Sequence, residues 1–198
     1  MWNVLLDPFP EEWNGYPIDS DYQTGIQISQ CLGDESLSET ERFYTAVGLL
    51  FPDIIPGNKE AAEALTWFLK EYNHDNDTGE KSKVTIMDFD VDQWRIYAAF
   101  LNQYRIDLNT AKLHWFAFMG LLMNLNECTF NNVMNIRQKK ITSKMSAEEK
   151  QALIRMKKIF EIKPPEDDNL SPTEQKAVDE FMKYAKINRE PKQSQRAD

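Results

Sequence analysis

Few residues in this chain have both the type and the spacing for chemistry. The chain of 198 residues has two histidines, His74 and His114, and two cysteines, Cys31 and Cys128. His74 stands beside Asp75 and Asp77, a hint of a metal loop. A calcium loop, however, needs its glycine at the sixth position and a closing glutamate at the twelfth, and Gly79 falls at the wrong offset. A solvated loop is the better reading. Asp88, Asp90 and Asp92 cluster where a helix should begin, and could be imagined as a two-metal site. Carboxylates favour that end of a helix for a simpler reason, its exposed amides and its dipole. His114 lies between Leu113 and Trp115 on an apolar stretch with no serine or cysteine nucleophile motif nearby. It reads as a hydrogen-bonded core or interface histidine. The cysteines lie far apart without CxxC or Cys/His spacing, which predicts a reducing compartment and no disulfide framework. Phosphate-loop, dinucleotide and zinc signatures are absent. The expectation is no catalytic residue, no cofactor and no metal: not an enzyme.

The elements around these residues read as mainly α, helical bundle modules behind a small N-terminal β-hairpin. In Trp13-Asn14-Gly15-Tyr16, Asn-Gly supplies the two positive-φ positions of a type I′ turn. Asp19 or Ser20 caps a helix that runs through Tyr22, Ile26 and Ile28 to Gly33. Ser38 and Glu41 form a capping box ahead of a stripe of Phe43, Ala46, Val47, Leu50 and Phe51. A third helix opens near Asn58 with Ala61, Leu65, Phe68, Leu69 and Tyr72 on one face. No apolar residue occurs from Asn73 to Lys83, which predicts a mobile loop between two modules. Past it, Asp88 or Asp90 caps a helix on which Trp94, Tyr97, Ala98, Leu101 and Tyr104 share a face. Ala111 to Asn124 is apolar nearly all round and belongs at the centre of its module. Phe130, Val133 and Met134 begin a helix ending in Arg137-Gln138-Lys139-Lys140. Ser146 and Glu149 box the start of a basic helix that buries Leu153, Met156, Ile159 and Phe160. After the Lys163-Pro164-Pro165 linker, Ser171 caps a last helix with a stripe of Val178, Phe181, Met182 and Ala185. The expected divisions are thus 1–72, 73–83, 84–162, 163–170 and 171–198, the last ending in a disordered tail.

Charge is unevenly spread. Up to Phe130 there are 8 basic and 21 acidic residues, a net −13; from Asn131 onward there are 15 and 11, a net +4. An acidic body repels phosphate backbones, so nucleic acid is not expected as a partner. No apolar run is long enough to span a membrane, and Met-Trp-Asn-Val is not the start of a signal peptide. The basic stretch carrying Arg137, Lys139, Lys140, Lys150, Lys157 and Lys158 is the candidate surface for an acidic partner, a second copy of the chain included.

The order of these features resembles a family of tailed-phage proteins called gene product fifteen. The likeness rests on Trp13-Asn14-Gly15-Tyr16-Pro17-Ile18-Asp19-Ser20-Asp21-Tyr22, Leu37-Ser38-Glu39 and Ala64-Leu65-Thr66-Trp67-Phe68-Leu69. Its more distinctive parts are Tyr97 to Leu108, Leu113-His114-Trp115-Phe116, Ile136-Arg137 and Lys157-Lys158-Ile159. Arg105 stands where the family leads one to expect glycine. The first half is also similar to the N-terminal domain of siphophage tail assembly chaperones. The resemblance implies a chaperone that coats the tape-measure protein, recruits the major tail protein, acts in the host cytoplasm and is absent from the mature virion. It brings no catalytic residues. The rival reading is a structural virion component such as a tail or neck accessory protein.

Overall fold

The computed structural model describes residues 2–70 and 86–163. The expected 73–83 loop with His74, the linker from Pro164 and the helix after Ser171 lie outside them. A two-stranded antiparallel hairpin, β1 (Glu12–Trp13) and β2 (Tyr16–Pro17), comes first. Its turn residues Asn14 and Gly15 have φ of 50° and 83°, as the type I′ turn requires. Seven helices follow among the described residues: α1 (Tyr22–Gly33), α2 (Glu39–Leu50), α3 (Asn58–Lys70), α4 (Phe89–Tyr104), α5 (Trp115–Met123), α6 (Thr129–Gln138) and α7 (Ala147–Ile159). The protein is mainly α, as its periodicity requires.

Local chemistry sets the helix starts. Both capping boxes form, Ser38 with Glu41 and Ser146 with Glu149. The cap of α1 is Asp21, whose Oδ1 accepts from the Gln23 amide at 2.8 Å. Of Asp19 and Ser20, the two residues expected in that role, neither is the cap, and Asp19 instead accepts from the Asp21 amide at 3.1 Å and the Thr24 hydroxyl at 2.9 Å. The helix expected from Ala111 begins only at Trp115, because the Asp107 carbonyl takes the amides of Thr110 and Ala111 and holds that stretch as a turn. His114 then caps α5. The starts of α1 and α5 are pinned to each other: the Tyr22 amide donates to the Leu113 carbonyl at 2.9 Å, and the Trp115 amide to the Ser20 carbonyl at 2.7 Å.

That pin places Trp115 against α1. A Cβ on Gly25 would stand 2.2 Å from the indole ring, so only glycine fits there. Around Trp115, which is 1% exposed, the aromatic rings form one connected cluster. Trp115 stacks with Phe68 of α3 (centroids 6.0 Å apart) and Phe118 (5.9 Å). Phe118 in turn stacks with Phe100 of α4 (5.1 Å) and Tyr22 of α1 (4.9 Å). The helices on either side of residues 71–85 therefore share one core, which runs from Ile18 to Phe130, and the described residues up to Ile162 belong to one unit. Apolar faces too small to close separately are covered by each other.

Two buried faces differ from the periodic reading. In α4 the interior side is Asp92, Ile96, Ala99 and Phe100, while Trp94 is 74% exposed and Leu101 is also exposed. The helix carries apolar residues at helical spacing on two sides, and Asp92 and Phe100 find partners only on one. In α7 only Leu153 is buried; Met156 and Ile159 face water. That helix packs chiefly on α6, so it has one neighbour and needs one narrow contact stripe.

Helix α4 ends in Arg105, whose φ of 60° and ψ of 26° put it in the left-handed region. The amides of Arg105 and Ile106 both donate to the Phe100 carbonyl, which forces this conformation. A side chain there costs about 1 kcal/mol that glycine avoids. Arg105→Gly is expected to raise the unfolding free energy by up to about 1 kcal/mol, read in urea melts, after the looser unfolded chain takes back part of the gain. A destabilised variant would place the Arg105 side chain among the stabilising contacts.

Candidate functional site

The acidic cluster at the head of α4 is fully engaged within the fold. Asp88 caps the helix, its Oδ1 accepting from the amides of Asp90 (2.9 Å) and Val91 (2.8 Å). Asp90 accepts from the Gln30 side-chain amide at 2.7 Å. Asp92 is 0% exposed and takes a bidentate grip from Arg137, with Nη1 at 2.5 Å and Nη2 at 3.1 Å, plus Nη1 of Arg95 at 2.8 Å. Burial of a carboxylate is tolerable only with such pairing. Among the described residues no cluster of His, Cys, Asp or Glu is arranged to hold a metal ion.

Arg137, expected on a partner-binding surface, is instead 5% exposed. Besides Asp92 it reaches the carbonyls of Phe160 (Nε, 2.6 Å) and Ile86 (Nη1, 3.0 Å). One guanidinium thus joins α4, α6, the end of α7 and the segment entering α4, which is why a planar five-donor group is used. Lys157 supports it by donating to the Arg137 carbonyl at 2.5 Å. Of the remaining cations Lys150 is half-buried, and Lys139, Lys140 and Lys158 are exposed. The predicted basic surface is smaller than the sequence suggests, since one cation has gone to the interior and two, Lys150 and Lys157, are half-buried.

His114 is not arranged as a general base. Its Nδ1 accepts from the Phe116 amide at 3.0 Å, so Nε2 carries the hydrogen and donates to the Pro10 carbonyl at 2.9 Å. Phe9 stacks on the ring at 4.8 Å. Burial holds its pKa below the ordinary histidine value, outweighing the Pro10 hydrogen bond and the nearby Glu11 carboxylate, which act the other way. The neutral imidazole is a structural cap that ties the segment before the hairpin to α5.

Among the described residues an open groove of about 390 Å³ lies between α1 and α4. Its floor is apolar and aromatic, with Tyr22, Ile26, Phe89 and Phe118, and its wall carries Trp94 and Tyr97. Gln23, Gln30, Asp90, Gln93 and Asn109 supply polar groups along it. Trp94 and Tyr97 meet edge to face at 6.0 Å, which steadies a large exposed indole at the groove's edge. Periodicity alone places both residues on one apolar face of α4 and does not say whether that face is inside. The contrary signal was Asp92-Ile96-Ala99-Phe100, an equally regular stripe whose charged member hid its role.

No helix among the described residues is long and apolar enough to cross a membrane. No curated protein and no solved structure matches this chain. The family described as Bacteriophage Gp15 protein does match, over residues 6–162, which takes in the hairpin, all seven helices, the Asp92–Arg137 pair and the groove. With most of its length covered, the chain belongs to the Bacteriophage Gp15 protein family.

Proposed function

We propose that this protein is a tail assembly chaperone, which binds the tape-measure protein and recruits major tail protein during morphogenesis in the host cytoplasm, without catalysing a reaction. The observation that carries the reading is the groove between α1 and α4, apolar along its floor and edged by an indole 74% exposed to water. A groove of that kind suits the apolar stripe of an amphipathic helix, and a tape measure offers such stripes repeatedly along its length. Exposed aromatic side chains at a groove are where binding energy concentrates. Membership of a phage family and the engagement of His114 and the α4 carboxylates in the fold support the same reading.

The test is co-expression with the tape-measure product of the same phage. Soluble tape measure in a complex larger than this protein alone is expected. Trp94→Ala should keep the fold, since little of Trp94 is buried, and weaken the complex by about 30-fold, as a hot-spot aromatic does. Tape measure left insoluble by the wild-type protein would overturn the proposal, and finding the chain in purified particles would favour a structural virion component.

A further inference from the structure

The opposite charges of the two ends of this protein coincide with opposite sets of exposed apolar side chains. Residues 2–70, which form the hairpin and α1–α3, hold 3 cations and 12 carboxylates, a net −9. Residues 131–163, which hold most of α6 and all of α7, carry 9 cations and 3 carboxylates, a net +6. The packing order separates them: α3 packs on α2 and α2 on α1, whereas α7 packs on α6 and α6 on α4.

Each end also leaves large apolar groups in water. On α7, Ala152, Met156 and Ile159 recur at i, i+4 and i+7 along one exposed stripe, with Ile159 73% exposed. Arg155 and Lys158 stand beside it, also exposed. On the acidic end, Ile54 and Ile55 are exposed in the connection between α2 and α3. Tyr44 is brought to the same place by its hydroxyl, which accepts from the Asn58 side chain at 3.1 Å. Asp53 and Glu60 flank them.

We infer that the α7 face of one copy docks on the α2–α3 connection of a second copy, so that the protein assembles head to tail. Charge complementarity selects this occupant. The same chain supplies a basic apolar stripe and an acidic apolar patch, and neither can pair with its own copy, because like charges would face each other, so each patch must meet the other kind. A heterologous contact leaves one patch of each kind free at the two ends of any open assembly, so it continues to a ring or a filament. The apolar side chains supply the holding energy, and the charges supply orientation and rate.

The experiment is light scattering on the purified full chain at about 0.1 mM, a concentration that populates contacts of micromolar strength. Three proteins are compared: wild type, a basic-face variant M156E/I159E, and an acidic-face variant I54K/I55K. Wild type is expected to form species larger than a dimer in 0.1 M salt. Raising salt to 1 M cuts the screening length from about 10 Å to about 3 Å and should weaken assembly at least about tenfold. Each variant alone should be monomeric with an unchanged melting temperature, since the replaced groups face water. Mixed in equal amounts, the two variants should give a dimer and nothing larger, since each brings the one patch the other lacks. A monomeric wild type, a wild type that stops at a dimer closed by reciprocal contacts, a variant that still assembles, or a mixture that stays monomeric would each overturn the inference. So would a lowered melting temperature in M156E/I159E, which would mean that the rest of the same chain covers the stripe. No tape-measure protein is present, so failure here leaves the chaperone proposal standing, and that proposal can fail separately.

Discussion

Asp92→Ala is expected to lower the unfolding free energy by about 3–5 kcal/mol, the range for breaking one partner out of a buried ion pair. The substitution leaves the Arg137 guanidinium in an interior position where only 5% of the residue meets water. Its remaining partners, the carbonyls of Phe160 and Ile86, accept hydrogen bonds but carry no countercharge. Arg95 loses its carboxylate partner at smaller cost, because its head group is partly solvated and keeps the Val91 carbonyl. The double variant Asp92→Leu with Arg137→Met should recover most of the loss, because apolar groups of similar volume remove both desolvation penalties. Urea melts of Asp92→Leu, Arg137→Met and the double variant measure this as a cycle. A single-variant loss under about 1 kcal/mol, or a double variant as unstable as the sum of the singles, would mean the pair does not hold α4 to α6.

The second large effect is at Trp115. Trp115→Ala should cost about 3–5 kcal/mol, from lost burial together with the cavity left among Phe68, Phe118 and Gly25. The same contact can be disturbed from the other side. Gly25→Ala puts a methyl group 2.2 Å from the indole, and overpacking of that kind costs about 1–3 kcal/mol or more. The ring cannot yield easily, because its backbone amide is tied to Ser20 and its faces are taken by Phe68 and Phe118. The two substitutions should therefore couple: in a Trp115→Leu background, Gly25→Ala should cost clearly less than it does alone. Additive losses would show that α1 and α5 adjust independently.

Local chemistry along the chain was enough to determine the helices and most of their starts. The Asn-Gly turn, both capping boxes and the stripe of Ala46, Val47, Leu50 and Phe51 depend on residues within one or two turns of each other, so no distant contact is needed to read them. Membership of the phage family was likewise legible in the order of those segments. Tertiary structure decided which face of a helix is inside when two faces qualify. On α4 the stripes through Trp94 and through Ile96 are equally periodic, and the choice between them was made by Arg137, 45 residues beyond Asp92, and by Phe118 against Phe100. The same partners turned Arg137 from an expected surface cation into an interior clamp. On α7 the apolar count predicted a broad buried face, but a helix with α6 as its chief neighbour buries only Leu153 and leaves Met156 and Ile159 outside. Whether an apolar stripe is core or contact surface depends on what else the fold brings to it, and that is information no window along the chain contains.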